Sequence, residues 1–200
     1  MDRRILKTRE IIKNSFIELV NEIGFEKVTV KNITEKANIN RGTFYLHYKD
    51  KYDLLEKSQN QILNEINEIV ILASQEVKNS LSTNSNSIGN IEPFLVRLYT
   101  YIGENAELMP IILNFNDNSS FINEFKSLIQ CYIVNFISNN HKLNKEIPSK
   151  YMLEIVSSIH IGVIQKWISD GIIESPEEIA SMLSSIINNF LKTFLNWIYI

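Results

Sequence analysis

Two helix starts of the same grammar stand eleven residues apart, and no other feature restricts the fold of this chain as much. In Val28-Thr29-Val30-Lys31-Asn32-Ile33, Thr29 is placed to cap a helix. Val28 before the cap and Ile33 at the fourth helical position form a hydrophobic staple. Ile39-Asn40-Arg41-Gly42-Thr43-Phe44 repeats the arrangement, with Asn40 as cap and Ile39 and Phe44 as staple. Asn38 stops the first of these helices, and Ala37 is small enough for a neighbouring helix to approach closely. Two short stapled helices with about three residues between them make a helix-turn-helix.

The flanking segments complete a small head. Ile5, Ile12, Phe16, Leu19, Val20 and Ile23 fall mostly three or four apart, the spacing of one helix face, and Gly24 ends that helix, freeing Phe25 to fold back on Val20. Asp50 opens a long helix reaching about Val77, with Asp53 in a box-like position and Leu54, Leu55, Ile62, Ile66 and Ile69 as its buried stripe. A polar stretch from Asn79 to Asn90 is read as a connection. Beyond it, helices are expected at about 91–104, 107–114, 118–140, 149–170 and 176–197, the last opened by the capping box of Ser175-Pro176-Glu177-Glu178. No strand alternation of useful length is present, so the fold class is all-α.

Charge is divided unequally. Residues 1–57 hold 12 Lys or Arg and 9 Asp or Glu, a surplus of three, so the rest carries −6 of the overall −3. A basic head on an acidic body suits a protein that presents one end to phosphate. Charges interrupt every apolar stretch at the N-terminus, and no run is long enough for a membrane span, so no membrane partner and a cytoplasmic location are expected. Cys131, the only cysteine, has no partner for an internal disulfide and is read as packed. No H-E-x-x-H, paired Cys motif, G-x-S-x-G elbow or glycine-rich phosphate loop occurs, and His47, His141 and His160 lie far apart in sequence. An enzyme, a metal site and a cofactor are therefore not expected.

The string Gly24-Phe25-Glu26-Lys27-Val28-Thr29-Val30-Lys31-Asn32-Ile33, followed by Asn40-Arg41-Gly42-Thr43-Phe44-Tyr45-Leu46-His47-Tyr48-Lys49-Asp50-Lys51 and Leu54-Leu55, resembles the TetR/AcrR family of bacterial transcriptional regulators over residues 8 to 57. The segment Gly162–Gly171, with Ser175–Glu178 after it, is similar to the last two helices of one branch of that family. The resemblance implies a three-helix DNA-binding head in residues 1–50, joined by a long helix to a ligand-binding and dimerisation body within 51–200. It further implies a homodimer whose heads occupy successive major grooves of a palindromic operator, a cavity in each body for a small apolar effector, and an intersubunit bundle of the last two helices.

On chemistry alone, Arg41, Gly42 and Thr43 suit base edges. Arg41 can hold guanine O6 and N7, Gly42 admits the backbone, and Thr43 offers a hydroxyl and a methyl. The competing reading makes Arg41 solvated and Thr43 a local backbone bonder. Tyr45, His47, Tyr48 and Lys51 carry donors suited to phosphates, and the family positions favour Tyr45, His47 and Lys51 as clamps, with Tyr48 partly core. Thr29 and Lys31 open a helix whose N-terminal end attracts phosphate, Thr29 first of all as a cap. Arg3, Arg4 and Lys7 rank last.

In the body, Tyr99, Phe115, Tyr132, His160 and Trp167 are the candidate ligand contacts, against the plainer reading of each as core. Ile179, Leu183, Ile186, Phe190 and Phe194 belong to a stripe on the last helix wider than one neighbour needs, and with Gly162 and Val163 they are assigned to a dimer interface. His160 is also compatible with that seam. A DNA-independent coactivator or adaptor of the same fold is the main alternative, with an enzyme built from a spatially assembled site behind it.

Overall fold

The computed structural model describes residues 3–81, 90–114, 119–139 and 150–197, and all regular elements among them are helical. In chain order they are α1 Arg3–Ile23, α2 Val30–Lys36, α3 Arg41–Tyr45, α4 Lys51–Leu81, α5 Glu92–Glu104, α6 Met109–Asn114, α7 Ser119–Asn139, α8 Lys150–Ser169 and α9 Pro176–Trp197. A single 3-10 turn, Phe25–Lys27, follows α1. The chain divides into two compact units. One gathers residues 1–62 and 107–116, the other 63–106 and 117–200. The thirty-one residues of α4 run from the first into the second. The sequence boundary at 50/51 falls just before this helix, and α6 is grouped with the head although the sequence reading assigned it to the body.

The head packs α1 against α2 and the 3-10 turn, and α2 against α3. Its interior holds Ile12, Phe16, Val28, Ile33, Phe44, Leu54 and Leu55, each at most 2% exposed. The apolar face of α1 is covered only through its middle, because Ile5 and Ile23 at its ends are 38% and 39% exposed. Gly24 accounts for the break after α1. Its φ of 80° and ψ of 147° lie in a region open essentially to glycine alone, and its N–H still donates to Val20 O at 2.9 Å. Phe25 then turns its ring edge-on to Phe16, at 6.1 Å between centroids, and to Tyr52, at 5.4 Å.

The α2 to α3 turn rests on Asn38, at φ 51°, the left-handed conformation that Asn tolerates better than other residues with a Cβ. Asn38 N–H donates to Glu35 O and Ile39 N–H to Thr34 O, at 3.2 and 3.0 Å, the two bonds of a Schellman ending.

In the second unit α9 packs on α5 and α7 on α8. The predicted capping box opens α9: Ser175 N–H donates to Glu178 Oε2 at 2.8 Å, and Glu178 N–H to Ser175 Oγ at 3.2 Å. The buried edge of α9 is Ile179, Ala180, Leu183, Ser184, Ile187 and Leu191. Among the described residues no helix is long and apolar enough to cross a membrane.

Candidate functional site

The head presents α3 through a set of side chains that fasten its two ends. At its start, Asn40 Oδ1 accepts from Thr43 N–H at 2.8 Å and from Thr43 Oγ1 at 3.2 Å. A Cβ on Gly42 would come within 3.1 Å of that capping oxygen, so glycine here keeps the cap unstrained as well as leaving the backbone bare. Beneath, Phe44 is fully buried, edge-on to Tyr45 at 5.6 Å and tilted against Tyr48 at 5.7 Å. This leaves Arg41 and Gly42 exposed, Thr43 and His47 half-buried, and Tyr45 and Leu46 exposed by 56% and 81%. Tyr48 is only 7% exposed, so its aromatic mass belongs to the core of the head.

At the start of α2, Thr29 and Asn32 satisfy one another. Asn32 N–H donates to Thr29 Oγ1 at 3.2 Å, Thr29 N–H to Asn32 Oδ1 at 3.1 Å, and the Thr29 hydroxyl also donates to that oxygen. The sequence reading foresaw the cap but not its reciprocal partner, since Asn32 replaces the usual Glu or Gln of a capping box. The Thr29 hydroxyl proton is thereby committed within the helix. Lys31 is exposed and 3.8 Å from Glu35 Oε1, a surface pair of small energetic weight.

Lys51 has a structural role that the sequence did not disclose. Its ammonium donates to Phe25 O at 2.9 Å and Glu26 O at 3.0 Å, and lies 4.6 Å from the Phe25 ring centroid. It thus ties the first turn of α4 to the 3-10 turn after α1, leaving one N–H for another acceptor. Lys57 acts similarly beyond α3, donating to His47 O at 3.0 Å and to Asp53 Oδ2 at 2.9 Å. Asp53 also accepts from Lys49 N–H at 2.8 Å, one residue upstream of the expected box partner, while Asp50 Oδ1 accepts from Tyr52 and Asp53 N–H. Burial, then repulsion by Arg9 and Lys57, holds the His47 imidazole below its ordinary pKa. Arg9 therefore belongs to the basic surroundings of α3, although only its charge marked it in the sequence.

In the body, three candidate ligand residues meet. The Tyr99 hydroxyl and His160 Nδ1 are 3.2 Å apart, and the Tyr99 ring lies edge-on to Trp167 at 5.7 Å. All three are at most 2% exposed. His160 Nε2 has no hydrogen-bond partner among the described residues, and burial pushes the imidazole down to about 4. Tyr132 stands apart from this group, stacked on Phe94 at 3.8 Å between centroids. Phe115 lies outside the described residues.

A cleft of about 300 Å³ opens between α8 and α9 over Gly162, Val163, Trp167, Ile179 and Met182, with Lys166, Asp170, Glu174 and Glu178 also lining it. Trp167 Nε1–H donates to Glu174 O at 2.9 Å, fixing the floor of the cleft to the α8 to α9 connection. Of the residues assigned to a dimer interface, Gly162 and Ile186 are exposed, and Val163 and Phe190 half-buried. Ile179 and Leu183 are 7% and 0% exposed, on the edge of α9 that is buried within its own protomer. Met182, at 45% exposure, lies with Ile186 on the open face. The Phe194 side chain lies outside the described side chains.

Comparison with known proteins extends over most of the chain. Residues 17–57 match the family described as bacterial regulatory proteins, tetR family, and residues 89–189 the family described as transcriptional regulator C-terminal region. An uncharacterized HTH-type transcriptional regulator of Bacillus subtilis (strain 168), YxbF, is 26% identical over 181 residues. The match takes in 90% of this chain but only 44% of that relative. Among solved structures, the dihydroxyacetone kinase operon activator DhaS is similar with a TM-score of 0.62 at 20% identity, covering 94% of this chain and 97% of its own. A TetR transcriptional regulator from Streptococcus agalactiae 2603V has a TM-score of 0.58 at 21% identity, covering 93% and 96%. Taken with the capped and stapled helix pair and the all-helical body, the match of the C-terminal region over half the chain establishes that this chain belongs to the TetR family of bacterial transcriptional regulators.

Proposed function

We propose that the chain binds a palindromic duplex operator as a homodimer, represses the adjoining gene by occupying it, and releases it when a small, largely apolar effector enters the body. The observation that carries this reading is the outer surface of α3. Arg41, Gly42 and Tyr45 are exposed, while Phe44 and Tyr48 beneath them are buried and the helix is fastened at both ends. A helix so presented offers a guanidinium for a guanine edge, a bare backbone at Gly42, and the Thr43 methyl for a thymine. Around it, Lys31, Tyr45, His47 and the remaining N–H of Lys51 are the phosphate donors. Thr29 serves as the cap of α2, and its contribution to phosphate binding is through the helix end rather than its committed hydroxyl. Tyr48 supports the surface from below.

In this reading the head supplies DNA binding and the body supplies sensing and pairing. The grouping of Tyr99, His160 and Trp167 supports a sensing site, since it combines apolar bulk with one hydroxyl and one imidazole. The open face of α8 and α9, with Gly162, Val163, Ile186 and Phe190, supports the pairing surface. Footprinting of the DNA flanking its own gene, repeated over a range of salt concentrations, tests the reading. Sequence-specific protection of two half-sites that weakens steeply with salt is expected. Binding indifferent to sequence would refute it.

A further inference from the structure

We infer that Leu46 reads a thymine methyl group in each half-site, an apolar contact beyond the base contacts of Arg41, Gly42 and Thr43; the inference rests on the DNA-binding reading above. Leu46 is the most exposed large apolar side chain among the described residues, at 81%. Its backbone is still helical, at φ −67° and ψ −21°, and its N–H donates to Gly42 O at 3.1 Å. Leu46 therefore stands one turn beyond Gly42 on the same face of the helix.

The neighbours of Leu46 are disposed differently. Phe44 and Tyr48, two residues to either side, are buried, so the core of the head is closed without it. Tyr45 and His47, beside it, end in polar groups suited to phosphate. Gly42 carries no side chain, which lets this face approach the groove floor, and Leu46 is the apolar group that the approach delivers there. From Arg41 to Leu46 the helix rises roughly 8 Å, within the roughly 12 Å width of the major groove. The only apolar group that the groove displays is the C5 methyl of thymine, so the chemistry of the occupant is set by the surface that Leu46 meets.

Burying one methyl against an aliphatic side chain is worth about fourfold in affinity. The full-length protein is used to select duplexes from a random pool. Each thymine of the selected site is then replaced by deoxyuridine, which removes only the methyl, and affinities are measured for the wild type, Leu46→Ala and Thr43→Ser. At one thymine per half-site, deoxyuridine should weaken the wild type about fourfold and leave Leu46→Ala almost unaffected, while Thr43→Ser, whatever its own affinity, keeps the fourfold penalty at that thymine. Because Leu46 is exposed, its replacement should leave the helical circular dichroism unchanged.

Equal deoxyuridine penalties in the wild type and Leu46→Ala at every sensitive thymine would overturn the assignment, as would penalties that at every such thymine are abolished only by Thr43→Ser. So would the absence of any sensitive thymine in a site that is bound specifically. Failure to select any sequence would instead remove the DNA-binding reading, and this inference with it.

Discussion

Acidification from about pH 7 to about pH 5 should weaken the folded body through His160. The imidazole is wholly buried, it meets the Tyr99 hydroxyl at Nδ1, and burial lowers it from 6.5 to about 4. The folded state therefore keeps His160 neutral where the unfolded chain binds a proton. Stability is complete above the unfolded value and is lost as the pH falls from 6.5 toward 4. The full span corresponds to about 3 kcal/mol, and the part reached at pH 5 to about 2 kcal/mol. His160→Gln removes the titration while retaining a hydrogen-bonding group for Tyr99. Urea unfolding of the wild type and this variant, at equal protein concentration and both pH values, isolates the effect from carboxylates and the other histidines. The wild type should lose about 2 kcal/mol more than the variant. Parallel losses in the two proteins would show that His160 is not held neutral in the fold, and the buried Tyr99–His160 pairing would be refuted.

Three further outcomes follow from the head and the open face of the body. Lys51→Met should destabilise the head by about 1–3 kcal/mol, because it leaves the Phe25 and Glu26 carbonyls without their ammonium donor; an unchanged urea midpoint would assign Lys51 to DNA alone. Lowering the pH from about 7.5 to about 5.5 at constant salt should raise operator affinity, since His47 is held below its ordinary pKa in the free protein and a phosphate favours the imidazolium; fluorescence anisotropy with His47→Gln as control measures this, and equal slopes in the two proteins would exclude a phosphate contact. Gly162→Ala meets open space within the protomer and should strengthen α8 by up to about 1 kcal/mol, yet weaken self-association in sedimentation equilibrium if two α8 helices approach closely there.

Local chemistry made much of this protein legible in one dimension. The stapled starts of α2 and α3, the Asn38 turn, the Gly24 stop and the Ser175–Glu178 box are interactions among residues at most a few positions apart, so sequence spacing alone specifies them. The expected spans of α5 to α9 agree with the described helices to within two residues for the same reason. The string from Arg41 to Lys51 likewise identified the surface on which DNA recognition is proposed.

Relations between distant segments were settled only by the tertiary structure. The apolar stripe of α9 was visible as a period, but packing against α5 decided that Ile179 and Leu183 face inward while Met182 and Ile186 remain open. The sequence marks Lys51 as a phosphate donor, and only the fold brings the carbonyls of Phe25 and Glu26, about twenty-five positions earlier, within reach of its ammonium. Tyr99 and His160, sixty-one positions apart, acquired their hydrogen bond in the same way. Caps, staples and turns are written in neighbouring residues because the backbone geometry that joins them is local. Burial and long-range pairing depend on which surfaces meet, and no spacing along the chain encodes that.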